Sequence, residues 1–159
     1  MVAAQVRLAD HLGVSSWEAV VGGCLGGAQA LTWLQRHPSR LRKAVGIGIT
    51  ARTSPHTLAF YEVLRQALTL DPAYGDGDYY ASGEFPTAGM ALNARVGMLF
   101  WMTPAFMEAR YARRTLAEDY RYTLEPEFAI HEAMAALGQG LGHKFDPNTM
   151  IYLTRAMDY

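Results

Sequence analysis

Gly22-Gly23-Cys24-Leu25-Gly26-Gly27 sets four glycines around the single cysteine of this chain. Glycine costs about 0.5–1 kcal/mol relative to alanine inside a helix or strand, so a cluster this dense marks a place where backbones must approach closely or turn sharply. What flanks it says which. Glu18-Ala19-Val20-Val21-Gly22 is a short β-branched run, and Ala28 to Leu34 continues in helix formers up to His37-Pro38. Lys43 to Ile49 then places Val45, Ile47 and Ile49 two apart, as in a second strand following a crossover helix in a parallel sheet. The order strand, sharp turn, helix, strand predicts a βαβ unit with Cys24 at its turn.

A turn of that kind is a nucleophile elbow, in which the reactive residue sits strained between strand and helix. Small residues two before and two after it, here Gly22 and Gly26, let neighbouring backbone approach without a Cβ clash. Serine is the usual nucleophile. Cysteine fits the same geometry, is intrinsically more nucleophilic, and as a thiolate is favoured by the N-terminus of the helix that begins at Leu25. The backbone N–H of Leu25 lies where one oxyanion-hole donor is needed. Two plainer readings stand beside this one: a buried free cysteine in a glycine-rich turn, or a phosphate-cradling turn. The second lacks both Gly-x-Gly-x-x-Gly and a Gly-Lys-Ser/Thr ending.

With 159 residues, half of them hydrophobic, 18% charged and a net charge of -1, the composition is that of a globular protein. It implies no nucleic-acid partner. A single cysteine allows no internal disulfide, and no basic stretch followed by an apolar one opens the chain, which reads as cytoplasmic. Ala19 to Gln35 is the longest uncharged run, but its four glycines and its length fall short of the ~20 apolar residues a membrane span needs.

Val2, Val6 and Ala9 recur at helical spacing before Gly13, which predicts a helix starting at the first residue, as in a chain that begins inside a larger fold. After Arg52 the character changes. Ser54-Pro55, Thr103-Pro104 and Asp146-Pro147 each put a capping side chain before a proline at the first helical position. Leu58, Tyr61, Leu64 and Leu68 form the stripe of the first of these helices, and Met150, Leu153 and Met157 that of the last; Ile130, Met134, Leu137 and Leu141 mark another. Asp71 to Pro86, with Gly-Asp-Gly-Asp-Tyr-Tyr at its centre, reads as loop. The apolar block Met98 to Met102 with Phe106 and Met107 reads as core of the helical region, or as the lining of a channel or a dimer contact.

Val20 to Trp33 (VVGGCLGGAQALTW) resembles the nucleophile segment of the homoserine O-acetyltransferase family, Gly-Gly-Ser-Met-Gly-Gly followed by Gln-Ala and a tryptophan. Met1 to Gly13 is similar to that family's helix before the nucleophile strand. Phe60 to Tyr80 (FYEVLRQALTLDPAYGDGDYY) and Lys144 to Tyr159 (KFDPNTMIYLTRAMDY) resemble two further segments, in the same order along the chain. The resemblance implies an α/β fold: a partial α/β-hydrolase core over residues 1–52, followed by a mostly helical lid over residues 53–159. It implies acyl transfer from acetyl-CoA, a co-substrate and not a bound cofactor, to the hydroxyl of homoserine, in methionine biosynthesis. Cys24 aligns with the family nucleophile. Arg65 matches an arginine that resembles a clamp for the amino acid's carboxylate, a task suited to a planar bidentate donor; it is equally read as a surface partner of Glu62. No metal is implied, and a homodimer through the lid helices is an option.

In that family the triad acid and histidine follow the lid, and the strands carrying the second oxyanion-hole donor precede the nucleophile, so both are expected outside this chain. The internal histidines have plainer explanations: His11 and His37 end helices, His56 opens a helix, His131 lies on an outer face, and His143 falls in the lid segment. Asp146 and Asp158 read as a helix cap and a helix end. Arg110, Arg113 and Arg114 with Tyr111 read as a solvated face before they read as a site for the phosphates of CoA. Two rival functions follow: a catalytically inactive fragment or degenerate copy, and an esterase or thioesterase of the same fold.

Overall fold

The computed structural model describes residues 1–141 and 145–159. They form two compact units, Met1–Thr53 together with Tyr159, and Ser54–Asp158.

The first unit is the βαβ element with one helix added. Helix α1 (Val2–His11) precedes strand β1 (Val20–Gly23), helix α2 (Leu25–Arg36), a 3-10 turn (Pro38–Arg40) and strand β2 (Ala44–Ile47). The strands pair in parallel, Val20 with Ala44 through Gly23 with Ile47, and a further parallel bridge joins Trp17 to Leu41. Val2, Trp33 and Leu41 are the buried centre, with Val6, Trp17, Val20 and Ala44 packed on them. Helix α1 runs in the same direction as α2, because Gln5 bonds both to Gln29 (2.5 Å) and to the Trp33 indole (2.8 Å), while Met1 meets Gln29 and Asp10 pairs with Arg40. The opposite face of the sheet carries Val21, Val45 and Ile47, all exposed.

Both strands are shorter than the sequence implied. Glu18 lies outside β1, with its carboxylate 3.3 Å from Arg42 and from Lys43. Strand β2 stops at Ile47 because Gly48 takes φ +60, and Ile49 folds back so that its Cγ2 lies 2.8 Å from where a Cβ on Gly46 would stand.

In the second unit all three anticipated caps form. Ser54 accepts from the Thr57 N–H (3.2 Å) at the start of α3 (Pro55–Thr69). Thr103 and Asp146 do the same from Phe106 (3.1 Å) and Thr149 (2.7 Å) for helices Pro104–Tyr111 and Pro147–Met157. The stretch read as loop is instead a 3-10 segment (Pro72–Gly77) and a short helix, α4 (Tyr79–Ser82). Its glycines and aspartates build that segment: Asp71 accepts from the Ala73 N–H, and Gly75 and Asp76 both take positive φ.

Helix α5 (Thr87–Trp101) follows, without the cap or the stripe that would have marked it. Then come α6 (Pro104–Tyr111), α7 (Ala129–Leu141) and α8 (Pro147–Met157). Helix α5 packs on both α3 and α7. Its contact with α3 is close enough that a Cβ on Gly89 would lie 2.5 Å from the Ala67 carbonyl, and buried Asn93 donates to the Leu64 carbonyl (3.0 Å). The block Met98–Met102 is not core as a whole: Met98 is buried, but Leu99, Phe100, Trp101, Met102 and Phe106 are exposed. Consecutive residues point around the helix, and Phe100 stacks on Phe60 of α3 with ring centroids 3.8 Å apart while one edge stays open to solvent.

Candidate active site

Cys24 stands between β1 and α2 with φ 50 and ψ -120. A side chain rarely adopts such a backbone, and holding it costs on the order of 1–3 kcal/mol. Three bonds impose it: the Cys24 N–H donates to the Ile47 carbonyl (2.9 Å), and the Cys24 carbonyl accepts from Gly27 (2.9 Å) and Ala28 (3.2 Å). The outcome is an exposed thiol at the head of a helix, not a cysteine sunk in the core. Among the described residues no side-chain hydrogen bond reaches its sulfur. The Leu25 N–H, first in α2, has no carbonyl within the helix to donate to and stays available to an incoming oxyanion.

The glycines divide unevenly. A Cβ on Gly22 would lie 2.1 Å from the Gly26 carbonyl oxygen, and one on Gly27 would lie 3.2 Å from both the Gly22 oxygen and Ile49. Gly26 has open space where a Cβ would project. Of the two small residues flanking the cysteine at two positions, Gly22 is sterically obligatory, whereas Gly26 contributes its backbone to the contact and not its missing side chain.

The two histidines of this unit are far from the sulfur. His37 follows the C-terminal end of α2, where its ring meets Trp33 edge-on at 5.4 Å, so a twelve-residue helix separates it from Cys24 by ~18 Å. His11 ends α1, which runs parallel to α2, and so lies toward that same far end.

In the second unit Arg65 is nearly buried and meets two carboxylates. Its Nε and Nη2 donate to Glu62 (3.3 and 3.0 Å) and its Nη1 donates to Asp158 (3.4 Å), which also pairs with Arg155 (3.2 Å). These bonds, with one from Gln66, hold Glu62 below the usual carboxylate range. Asp146 caps α8 and receives the hydroxyls of Tyr79 and Tyr80, while Asn148 accepts from Tyr74 (2.8 Å) and donates to the Gly77 carbonyl (2.8 Å). Burial alone would raise the Asp146 carboxyl, but the bonds from Tyr79, Tyr80 and Thr149 bring it down to about 2; burial and that contact push the Tyr79 hydroxyl up. The Tyr-Tyr pair was visible in the sequence, but its joint acceptor, 66 residues further on, was not.

The remaining candidates have local roles. Nδ1 of His131 accepts from the N–H groups of Glu127 (3.2 Å) and Phe128 (3.4 Å) at the start of α7. Arg114 donates to the carbonyls of Tyr111 and Arg110 at the end of α6, and Arg113 lies 4.9 Å over the Phe128 ring. Half-buried Arg95, which sequence reasoning passed over, donates to the Met134 carbonyl (3.2 Å) on α7. An open apolar groove of about 640 Å3 between α3 and α5 is lined by His56, Phe60, Val63, Val96, Leu99 and Phe100. His143 lies outside the described residues. Among those described, no three His, Cys, Asp or Glu side chains gather as metal ligands, and no helix is long and apolar enough to cross a membrane.

A cysteine in a strained strand-to-helix turn of a parallel βαβ unit, followed by a helical region, defines a class. The chain belongs to the alpha/beta hydrolase fold family, which matches residues 1–148. Within it, the chain is 41% identical over 158 residues to a homoserine O-succinyltransferase of Marinobacter nauticus, covering 99% of this chain and 41% of that protein. It is 38% identical over 160 residues to a homoserine O-acetyltransferase of Methanosphaerula palustris, covering 100% of this chain and 32% of that one. The crystal structure of homoserine O-acetyltransferase from Bacillus anthracis superposes with a TM-score of 0.87 at 21% identity, over 98% of this chain and 42% of that chain, a likeness of fold. The chain thus spans about two fifths of the length of the first of these relatives.

Proposed function

We propose that this chain takes part in O-acylation of homoserine, receiving an acyl group from an acyl-CoA on Cys24 and passing it to the homoserine hydroxyl, as a step toward methionine. The observation that carries the reading is the elbow: an exposed nucleophile held at φ 50 beside the free N–H of Leu25, in a chain about 40% identical to homoserine acyltransferases. Attack of the Cys24 sulfur on the acyl-CoA carbonyl gives a tetrahedral oxyanion, which the Leu25 N–H stabilises. One such donor is worth ~3 kcal/mol in related chemistry. The acyl donor expected from the resemblance is acetyl-CoA; relatives that carry the succinyl name support succinyl-CoA equally. For the substrate carboxylate the resemblance proposes Arg65, whose guanidinium meets Glu62 and Asp158 in this structure and would have to exchange one of them for substrate. A second copy of the chain is the proposed partner, through the apolar groove of the helical unit.

Incubation with acetyl-CoA and, separately, succinyl-CoA, followed by peptide mass spectrometry, tests the nucleophile. One acyl adduct on Cys24, absent from Cys24→Ala, is expected; equal acylation of the alanine variant overturns the assignment.

A further inference from the structure

An arginine that meets two carboxylates need not hold them equally. The guanidinium is a rigid planar fork of N–H donors, and which partner can leave depends on how far water already solvates each carboxylate and on how well each fits the fork. Around Arg65 the two partners differ on both counts.

Glu62 lies one turn before Arg65 on α3, and its side chain is 52% exposed. It offers one oxygen, Oε2, to both Nε (3.3 Å) and Nη2 (3.0 Å), because Oε1 accepts from Gln66 (3.1 Å). Asp158, at the end of α8, is 9% exposed and turns both oxygens to the fork, Oδ1 to Nη1 (3.4 Å) and Oδ2 to Nη2 (3.2 Å), with Oδ2 also meeting Arg155 (3.2 Å). Water takes over an exposed carboxylate at little cost, whereas parting the nearly buried one from its partners leaves an uncompensated charge. The side of the fork that meets Asp158 is therefore fixed, and the Nε–Nη2 edge is exchangeable. A carboxylate not tethered to α3 can set one oxygen on Nε and the other on Nη2, the parallel two-bond fit that Glu62 does not make. With Glu62 turned away, Arg65, Arg155 and Asp158 together carry a positive charge in excess, which a single carboxylate neutralises.

We infer that Glu62 is an internal stand-in for the substrate carboxylate, occupying the Nε–Nη2 edge of Arg65 until an amino acid's carboxylate displaces it, while Asp158 stays in place and positions the guanidinium. The inference rests on the proposed role of Arg65 as the clamp for the substrate carboxylate, and adds which of its two partners is exchanged. Glu62 then sets affinity by competition. Every ligand carboxylate binds against the Glu62 contact, and a ligand without a carboxylate gains nothing when that contact is removed.

The test follows the Arg65 Nε–H resonance of the full chain by heteronuclear NMR, identified by its loss in Arg65→Lys. The chain is titrated with L-homoserine or with propanolamine, the same molecule with hydrogen in place of its carboxylate. Homoserine should move the resonance in the wild type. In Glu62→Gln and Glu62→Ala it should reach half-saturation at a concentration lower by about two- to fivefold, the weight of an exposed ion pair. Propanolamine should leave the resonance unmoved in all three, and Asp158→Asn should bind homoserine more weakly. Homoserine binding that is equal or weaker in both Glu62 variants overturns this inference and leaves Arg65 as the clamp. Tighter binding by Asp158→Asn overturns it as well, and so does an equal gain with propanolamine. Homoserine that moves the Arg65 resonance in none of these proteins overturns the assignment of Arg65 itself.

Discussion

At the scale of single residues, the energy of the elbow is concentrated at two positions. Gly22 has no room for a methyl group, since the atom 2.1 Å away is backbone that cannot swing aside. Gly22→Ala is therefore expected to cost about 3 kcal/mol. Gly26→Ala, at the second position of α2 with open space beside it, should cost nothing and gain up to ~1 kcal/mol in helix propensity. Chemical denaturation of the two variants reads the difference, and equal losses would show that both glycines are steric. Cys24 holds strain of the opposite kind. A glycine there relaxes φ 50 without a Cβ, so Cys24→Gly should raise stability by ~1 kcal/mol while abolishing acylation. That pairing of gained stability with lost chemistry is what a residue kept for its reactivity predicts. Arg65 belongs to the same scale: its removal takes away one of the two guanidinium groups, Arg65 and Arg155, that pair with the nearly buried Asp158. Arg65→Ala should lower stability by about 3 kcal/mol, whereas Arg65→Lys should retain part of that.

At the scale of elements, helices are held by their ends. Ser54, Thr103 and Asp146 cap three of them through N–H groups three residues on, and Ser54→Ala should destabilise by about 1 kcal/mol in a thermal melt. Asp146 does more than cap, because Tyr79 and Tyr80 bond to the same oxygen and tie α4 to α8. Its folded carboxyl titrates at about 2, below the ~3.9 of an unfolded aspartate. The sign follows: the stabilisation is complete above about 4 and is lost as pH falls through the folded value. Asp146→Asn keeps a capping oxygen, so its melting temperature should fall less steeply than the wild type's between pH 5 and 2. Parallel curves would remove the carboxylate from this account.

At the scale of the whole molecule, apolar surface is left open in both units. Val21, Val45 and Ile47 are exposed on one sheet face, and parallel sheets are ordinarily covered on both. In the other unit Val63, Leu99 and Phe100 line a groove without an acidic residue, a surface that can meet its own copy across a two-fold axis with no charge to match. Sedimentation velocity is expected to show a concentration-dependent dimer that Leu99→Glu dissociates and Val45→Glu does not. The reverse outcome would move the contact to the sheet.

The local features were legible in the amino-acid order because their causes are local. The βαβ unit, the elbow at Cys24, the three Ser/Thr/Asp-Pro helix starts and the α7 stripe all follow from propensity, capping and periodicity within a few residues. Helix α5 was not legible, since it has no side-chain cap and packs on α3 through Gly89 and Asn93 and on α7 through Ala91 and Arg95, so no single apolar stripe announces it. Nor was the order in Asp71 to Pro86, which depends on Asp71 accepting from Gly89 (2.7 Å) and on the tyrosines reaching Asp146. Which glycine the elbow needs, and that Arg65 meets Asp158 across 93 residues, were settled only by packing: a contact between distant segments has no signature in either one until the fold brings them together.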